Sequence, residues 1–194
     1  MATPRIRVAV NGNCVIGKRV ADAVAAQGDL ELAGVADVGA DWRMRVVNHK
    51  GFRLFGAAAE HAAAMRAAGL DVAGTLDDLL GATDVVVDCT PKKVAARNVE
   101  TYRRRGIRFI VQGGEKHEVT GHSFVAESSY ASALGRDATR VVSCNTTSIV
   151  RTLSALKRAG LLLKARGTLL RRATDPWESH LGGIMNTLVP EEEI

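Results

Sequence analysis

Cys144 lies between Ser143 and Asn145, just ahead of a segment, Thr147 to Ala159, whose spacing predicts a helix. A thiol at a helix N-terminus faces the partial positive charge of unpaired amides, which favours thiolate, the nucleophilic form. Its polar neighbours suit an exposed helix start. Cys89, which closes the apolar run Val87-Asp88-Cys89, reads as a buried and inert thiol. Cys14 reads as a wall residue of a turn. Three cysteines cannot all pair and none has zinc-type spacing, so no metal is expected.

A second set of residues sits in the first turn, Asn11-Gly12-Asn13-Cys14-Val15-Ile16-Gly17, between a strand and a helix. The dinucleotide fingerprint G-x-G-x-x-G matches at Gly12, for the tight turn, and at Gly17, for close helix–strand contact, but Cys14 occupies the middle position. A Cβ there points toward the space of a pyrophosphate. Asp37 ends the second strand about twenty residues on, where a carboxylate hydrogen-bonds a ribose 2′-hydroxyl and repels a 2′-phosphate, so NAD is expected over NADP. The bland alternative for Asp37 is a solvated loop residue. A nucleophilic cysteine beside a nicotinamide is what aldehyde oxidation through a thioester requires.

The elements that must hold these residues alternate. Arg5 to Val10, Glu31 to Ala36, Asp84 to Asp88, Ile107 to Val111 and Thr139 to Val142 read as strands, with Phe52 to Phe55 a short one. Val15 to Gln27, Asp41 to Lys50, Ala57 to Ala68 and Val94 to Arg105 read as helices. Thr75 to Leu80 reads as a helix with a capping box between Thr75 and Asp78, and Tyr130 to Leu134 as a short helical piece. The alternation predicts a Rossmann-type, doubly wound parallel sheet over residues 1–143. Leu161 to Arg172 reads as one long strand, so residues 144–194 are expected to start an α+β catalytic domain and leave it unfinished.

With 46% hydrophobic residues in 194, a real core is affordable, though aromatics are few. No apolar run is long enough to span a bilayer, and Met1 to Arg7 passes straight into a strand without a signal-peptide pattern, so a cytoplasmic protein is expected. The net charge of +5 is scattered. Its densest clusters, Arg103-Arg104-Arg105 and Arg171-Arg172, lack interleaved aromatics, which fits solvated faces and phosphate-bearing ligands better than nucleic acid.

Six runs together resemble the archaeal, type II phosphorylating glyceraldehyde-3-phosphate dehydrogenases, from residue 5 to about 190. They are Val10-Asn11-Gly12, Gly17-Lys18-Arg19-Val20-Ala21, Asp88-Cys89-Thr90-Pro91, Gln112-Gly113-Gly114-Glu115-Lys116-His117, Val141 to Thr147, and Arg171-Arg172-Ala173-Thr174-Asp175-Pro176. The resemblance implies that Cys144 attacks the aldehyde of glyceraldehyde 3-phosphate and that inorganic phosphate releases 1,3-bisphosphoglycerate from the resulting thioester. It implies substrate contacts from Ser143 and Asn145. It also places Val15, Ile16, Gly113 and Arg172 at the cofactor.

The chain departs from that family at several points. Lys93 and Ala95 stand where the loop after Thr90-Pro91 is usually glycine-bearing, which predicts a crowded crevice. Asp37 replaces a basic residue suited to the 2′-phosphate of NADP. Family members are considerably longer and carry their histidine base in a segment with no counterpart here, so the chain reads as C-terminally incomplete. The alternatives are another semialdehyde dehydrogenase or a nucleotide-binding fragment without catalysis. A homo-oligomer is expected, because the strand from Leu161 would expose apolar surface.

Overall fold

A computed structural model describes residues 4–91, 93–112 and 114–169. Eight strands form one parallel sheet: β1 (Ile6–Asn11), β2 (Leu30–Asp37), β3 (Leu54–Gly56), β4 (Gly74–Thr75), β5 (Val85–Asp88), β6 (Arg108–Val111), β7 (Ser123–Phe124) and β8 (Ala138–Val141). Their order is β4-β3-β2-β1-β5-β6-β8-β7. The helices are α1 (Val15–Ala25), α2 (Trp42–His49), α3 (Ala59–Ala67), α4 (Leu76–Leu80), α5 (Val94–Arg104), α6 (Ala126–Ala133) and α7 (Cys144–Arg158).

Period-two alternation in the central strands builds two cores, one on each face. Val10, Val35 and Leu54 pack with Ala21 of α1, Met44 and Val47 of α2, and Ala62 and Met65 of α3. The other face buries Ala9, Phe55, Val86 and Phe109 against Leu79 and Leu80 of α4 and Ala95, Val99 and Tyr102 of α5. Each large side chain fully buried here, such as Leu54 or Met65, contributes roughly 1.5–3 kcal/mol. The chain works outward from β1 to β4, then returns through α4 to pair β5 with the free side of β1. This reversal makes the sheet doubly wound and opens a crevice beyond the carboxyl ends of β1 and β5.

The amino edge is tied separately. The Arg7 backbone N–H and guanidinium all donate to Asp84, at 2.7–3.1 Å, which joins the starts of β1 and β5. The Thr75–Asp78 capping box is present at α4. Among the described residues no helix is long and apolar enough to cross a membrane.

Several elements differ from the sequence expectation. α7 starts at Cys144 rather than Thr147, because Ser143 already caps it. The two-residue strands β4 and β7 are too short to leave a periodic signal. Leu161 to Leu169 forms neither strand nor helix, and Leu170 to Arg172 lies outside the described residues. That segment is built from Leu, Lys, Ala, Arg and Gly with Thr168 its lone β-branched residue, a composition poor for pleated pairing. The chain divides into two compact units after Ser154; in the second, the described residues are the end of α7 and the segment to Leu169.

Candidate active site at the carboxyl edge of the sheet

Four loops lie along the central carboxyl edge of the sheet, following β1, β5, β6 and β8. The first is drawn tight by two glycines. Gly12 has φ +94°, and a Cβ on it would lie 3.0 Å from the Cys89 carbonyl carbon and the Thr90 nitrogen. A Cβ on Gly17 would lie 1.8 Å from the Gly12 carbonyl oxygen, so α1 enters against bare backbone. Both positions therefore admit only glycine. Cys14 is the N-cap residue of α1 but its side chain does not cap. Its thiol instead donates to the Cys89 carbonyl at 3.3 Å. No acidic side chain stands in the first turn of α1 either, so the positive end of an 11-residue helix faces the crevice uncapped. Val15 is half-buried and Ile16 is exposed at this end.

Asp37 is neither solvated nor free. It is 9% exposed. One carboxylate oxygen accepts the Asn13 N–H at 2.6 Å, and the other accepts the N–H groups of Val38 and Gly39, both at 2.8 Å. The carboxylate clasps the first turn to the loop after β2, which corrects the solvated-loop alternative. Asn13 donates to the Arg43 carbonyl at 3.3 Å, while its buried Oδ1 has no partner. Asn13 also lines a groove of about 360 Å³ between α1 and α2, together with Lys18, Trp42, Arg43 and Phe52.

Beneath the crevice lies a polar knot that sequence reasoning missed. Asp88 is fully buried. It accepts the Tyr102 hydroxyl at 2.7 Å, Asn98 Nδ2 at 2.9 Å, and the Thr90 hydroxyl and N–H at 2.5 and 2.9 Å. Asn11 Nδ2 donates to the Tyr102 oxygen at 2.9 Å. Burial, reinforced by Asp88, pushes the Tyr102 phenol well above its ordinary value, keeping it a donor. A carboxylate so supplied with donors fixes Thr90 and the ends of β1 and β5 in one arrangement. The sequence signal was Asn11 and Asp88 closing two adjacent parallel strands.

The loop after β6 turns back on the crevice. Glu115 is buried, and its carboxylate accepts the N–H groups of Lys93 at 2.6 Å and Ala96 at 3.4 Å, at the start of α5. Lys93 has φ +74°, the left-handed region, where glycine is at home. Crowding by Ala95 does not occur, because Ala95 is wholly buried in the core under α5. Arg140, on β8, donates to the Glu115 carbonyl at 2.7 Å and to the Ser123 hydroxyl at 2.8 Å. His117 Nδ1 also meets Ser123, at 2.9 Å.

Cys144 is the first residue of α7 and is exposed. The Ser143 oxygen accepts the Thr146 N–H at 3.2 Å, the bond expected of an N-cap. Asn145 follows on the same turn and is half-buried. In the strand order, β8 stands three strands from β1. At the usual spacing that is roughly 14 Å, so only an extended ligand lying across the ends of β5 and β6 reaches both the first turn and the thiol. Gly113 and Arg172 lie outside the described residues.

Residues 6–118 match the family described as dihydrodipicolinate reductase, N-terminus. The chain belongs to this family. Its matched span runs from β1 through the loop after β6, and so covers the open end of α1 but not Cys144. Relatives that match nearly the whole chain, past the cysteine, include glyceraldehyde-3-phosphate dehydrogenases of archaea. The protein of that name from Methanococcoides burtonii is 48% identical over 96% of this chain and 55% of its own length. That from Methanobrevibacter smithii is 46% identical over 94% and 54%. The resemblance carried by the six sequence runs thus holds over nearly the whole chain, and the chain spans about half the length of the curated relatives it matches. Among solved structures, GenD2 from gentamicin A biosynthesis in complex with NAD covers 58% of this chain and 28% of its own, at 20% identity and a TM-score of 0.44.

Proposed function

We propose that the chain serves an NAD-dependent oxidation of glyceraldehyde 3-phosphate to 1,3-bisphosphoglycerate. One observation carries this reading: an exposed cysteine opens α7 on the same sheet edge as the uncapped end of α1. The first turn fits a dinucleotide. Two glycines hold it close, the α1 amides are free for a pyrophosphate, and the buried Asn13 Oδ1 offers an acceptor to a ligand hydroxyl. Gly12, Val15, Ile16 and Gly17 would hold the pyrophosphate, and Asp37 the ribose side. The acidic Asp37 disfavours a 2′-phosphate and supports NAD over NADP. Gly113 and Arg172 are further proposed contacts.

When bound, the nicotinamide supplies a hydride acceptor. Cys144 supplies the nucleophile: its sulfur adds to the aldehyde carbon and holds the oxidised acyl group as a thioester, whose carbonyl inorganic phosphate attacks, breaking the C–S bond and releasing the Cys144 thiolate. Ser143 keeps the first turn of α7 in place, and Asn145 stands beside the sulfur to orient substrate. Assembly with copies of the same chain belongs to the proposal, supported by Tyr130 and Leu134 lying exposed on and after α6 and read by sedimentation velocity.

Alkylation tests the reading. Iodoacetamide followed by peptide mapping should modify Cys144 first, and both NAD and glyceraldehyde 3-phosphate should slow that modification. Equal modification of Cys144 with and without NAD would remove the link between thiol and dinucleotide on which the proposal stands.

A further inference from the structure

Two of the three thiols meet where the sheet reverses direction. Cys14 begins α1, and Cys89 follows β5. The Cys14 thiol donates to the Cys89 carbonyl at 3.3 Å, and the Cys89 N–H donates to the Asn11 carbonyl at 2.7 Å, so the loop after β5 rides directly on the first turn. The Cys89 side chain belongs to the core cluster against which Cys14 packs. Its Cβ lies only 3.4 Å from the point where a Cβ on Gly17 would stand. Cys14 therefore packs against the loop that carries Cys89, whose own thiol donates to the Val87 carbonyl at 3.9 Å and must turn from it to meet the Cys14 sulfur. A disulfide requires Cα atoms roughly 4.4–6.8 Å apart and Cβ vectors that converge, which residues in such direct contact can meet.

We propose that Cys14 and Cys89 form a reversible intrachain disulfide, an oxidative modification site that closes the dinucleotide turn. Cys14 is half-exposed and meets the oxidant first, whereas Cys89 is buried. With a peroxide, the Cys14 sulfur attacks one peroxide oxygen. The O–O bond breaks, Cys14 becomes a sulfenic acid, and the other oxygen leaves as water or an alcohol. The Cys89 sulfur then bonds to the Cys14 sulfur, the S–O bond breaks, and the hydroxyl leaves with the Cys89 proton as a second water. Two thiols are oxidised and one peroxide is reduced. Burial, with Cys14 alongside, pushes the Cys89 thiol up, so the closing step is slow and the finished bond is shielded from bulky reductants. The bond draws the start of α1 onto the loop after β5 and narrows the gap across which a pyrophosphate must lie.

The consequence for cofactor rests on the dinucleotide reading; the disulfide does not. In a Cys144→Ser chain this pair holds the remaining thiols. Hydrogen peroxide should then abolish both free thiols, and peptide mapping should join the Cys14 peptide to the Cys89 peptide within one chain. NAD affinity should fall about tenfold or more against the same untreated chain and return with dithiothreitol. A Cys14→Ser, Cys144→Ser double variant should keep its own affinity through the same treatment. Sulfinic acid on Cys14 with Cys89 still free, a bridge between two copies, or an intrachain bridge without loss of affinity would each overturn the proposal. A reduced chain that binds no NAD would count against the dinucleotide reading, while the peptide map would still decide the disulfide.

Discussion

The N-termini of α1 and α5 are neighbours at one sheet edge, and the chain treats them in opposite ways. Both helices have 11 residues and both follow central strands, so each presents a comparable positive end to the crevice. At α1 the side chain in the capping position turns away and no acid occupies the first turn. At α5 the carboxylate of Glu115 comes from the following loop and sits on the amides of Lys93 and Ala96. The same electrostatics are thus left available to a ligand at one helix and satisfied from within at the other. Of these two helix ends, an anion finds the one at α1 vacant; the α5 wall of the crevice is a fixed surface, anchored through Arg140 to the strand that leads to Cys144.

The sharpest way to break the comparison is at α1. Gly17→Ala forces a methyl group into the Gly12 carbonyl and should cost about 3 kcal/mol or more, with loss of NAD binding, read by urea denaturation and calorimetry. Glu115→Ala empties the α5 end. It should cost about 1–2 kcal/mol, and inorganic phosphate should raise the melting temperature of this variant more than that of the parent. An unchanged melting temperature would mean that the α5 end is not satisfied by Glu115. Lys93→Gly relieves the left-handed backbone at the same end and should gain about 0.5–1 kcal/mol in denaturant titrations.

The smallest effect lies at the opposite edge. The Arg7 guanidinium and amide hold the Asp84 carboxyl down at about 2. A depressed carboxyl contributes its stability above its ordinary value, near 3.8, and loses it as pH falls toward about 2. Asp84→Asn should therefore flatten the acid limb of a stability–pH curve in that window. The change should be slight, because 46% and 43% of the two side chains are exposed, and NAD affinity at neutral pH should not move.

Much of this arrangement was legible in the residues. The β-branched run at Val85 to Val87, the alternation of β1 and the apolar spacing of α1 gave the central sheet, and Thr75 with Asp78 gave a helix start. Gly12 and Gly17 announced the close approach that the structure shows. Less legible were features that depend on groups distant in sequence. Glu115 caps a helix that begins more than twenty residues earlier, and Asp88 gathers donors from a turn and a helix, so neither leaves a local pattern. Asp37 was singled out, but its grip on three backbone amides required the fold. The segment from Leu161 misled because apolar content was read without β-branching.

The outermost strands, β4 and β7, each contribute two residues to the ladder. Among the described residues, the parallel array therefore ends on both sides in stubs that expose hardly any unpaired main chain. A foreign segment has little rim to zip onto, so the same architecture that gathers the central strands' loops also guards against fibrous association.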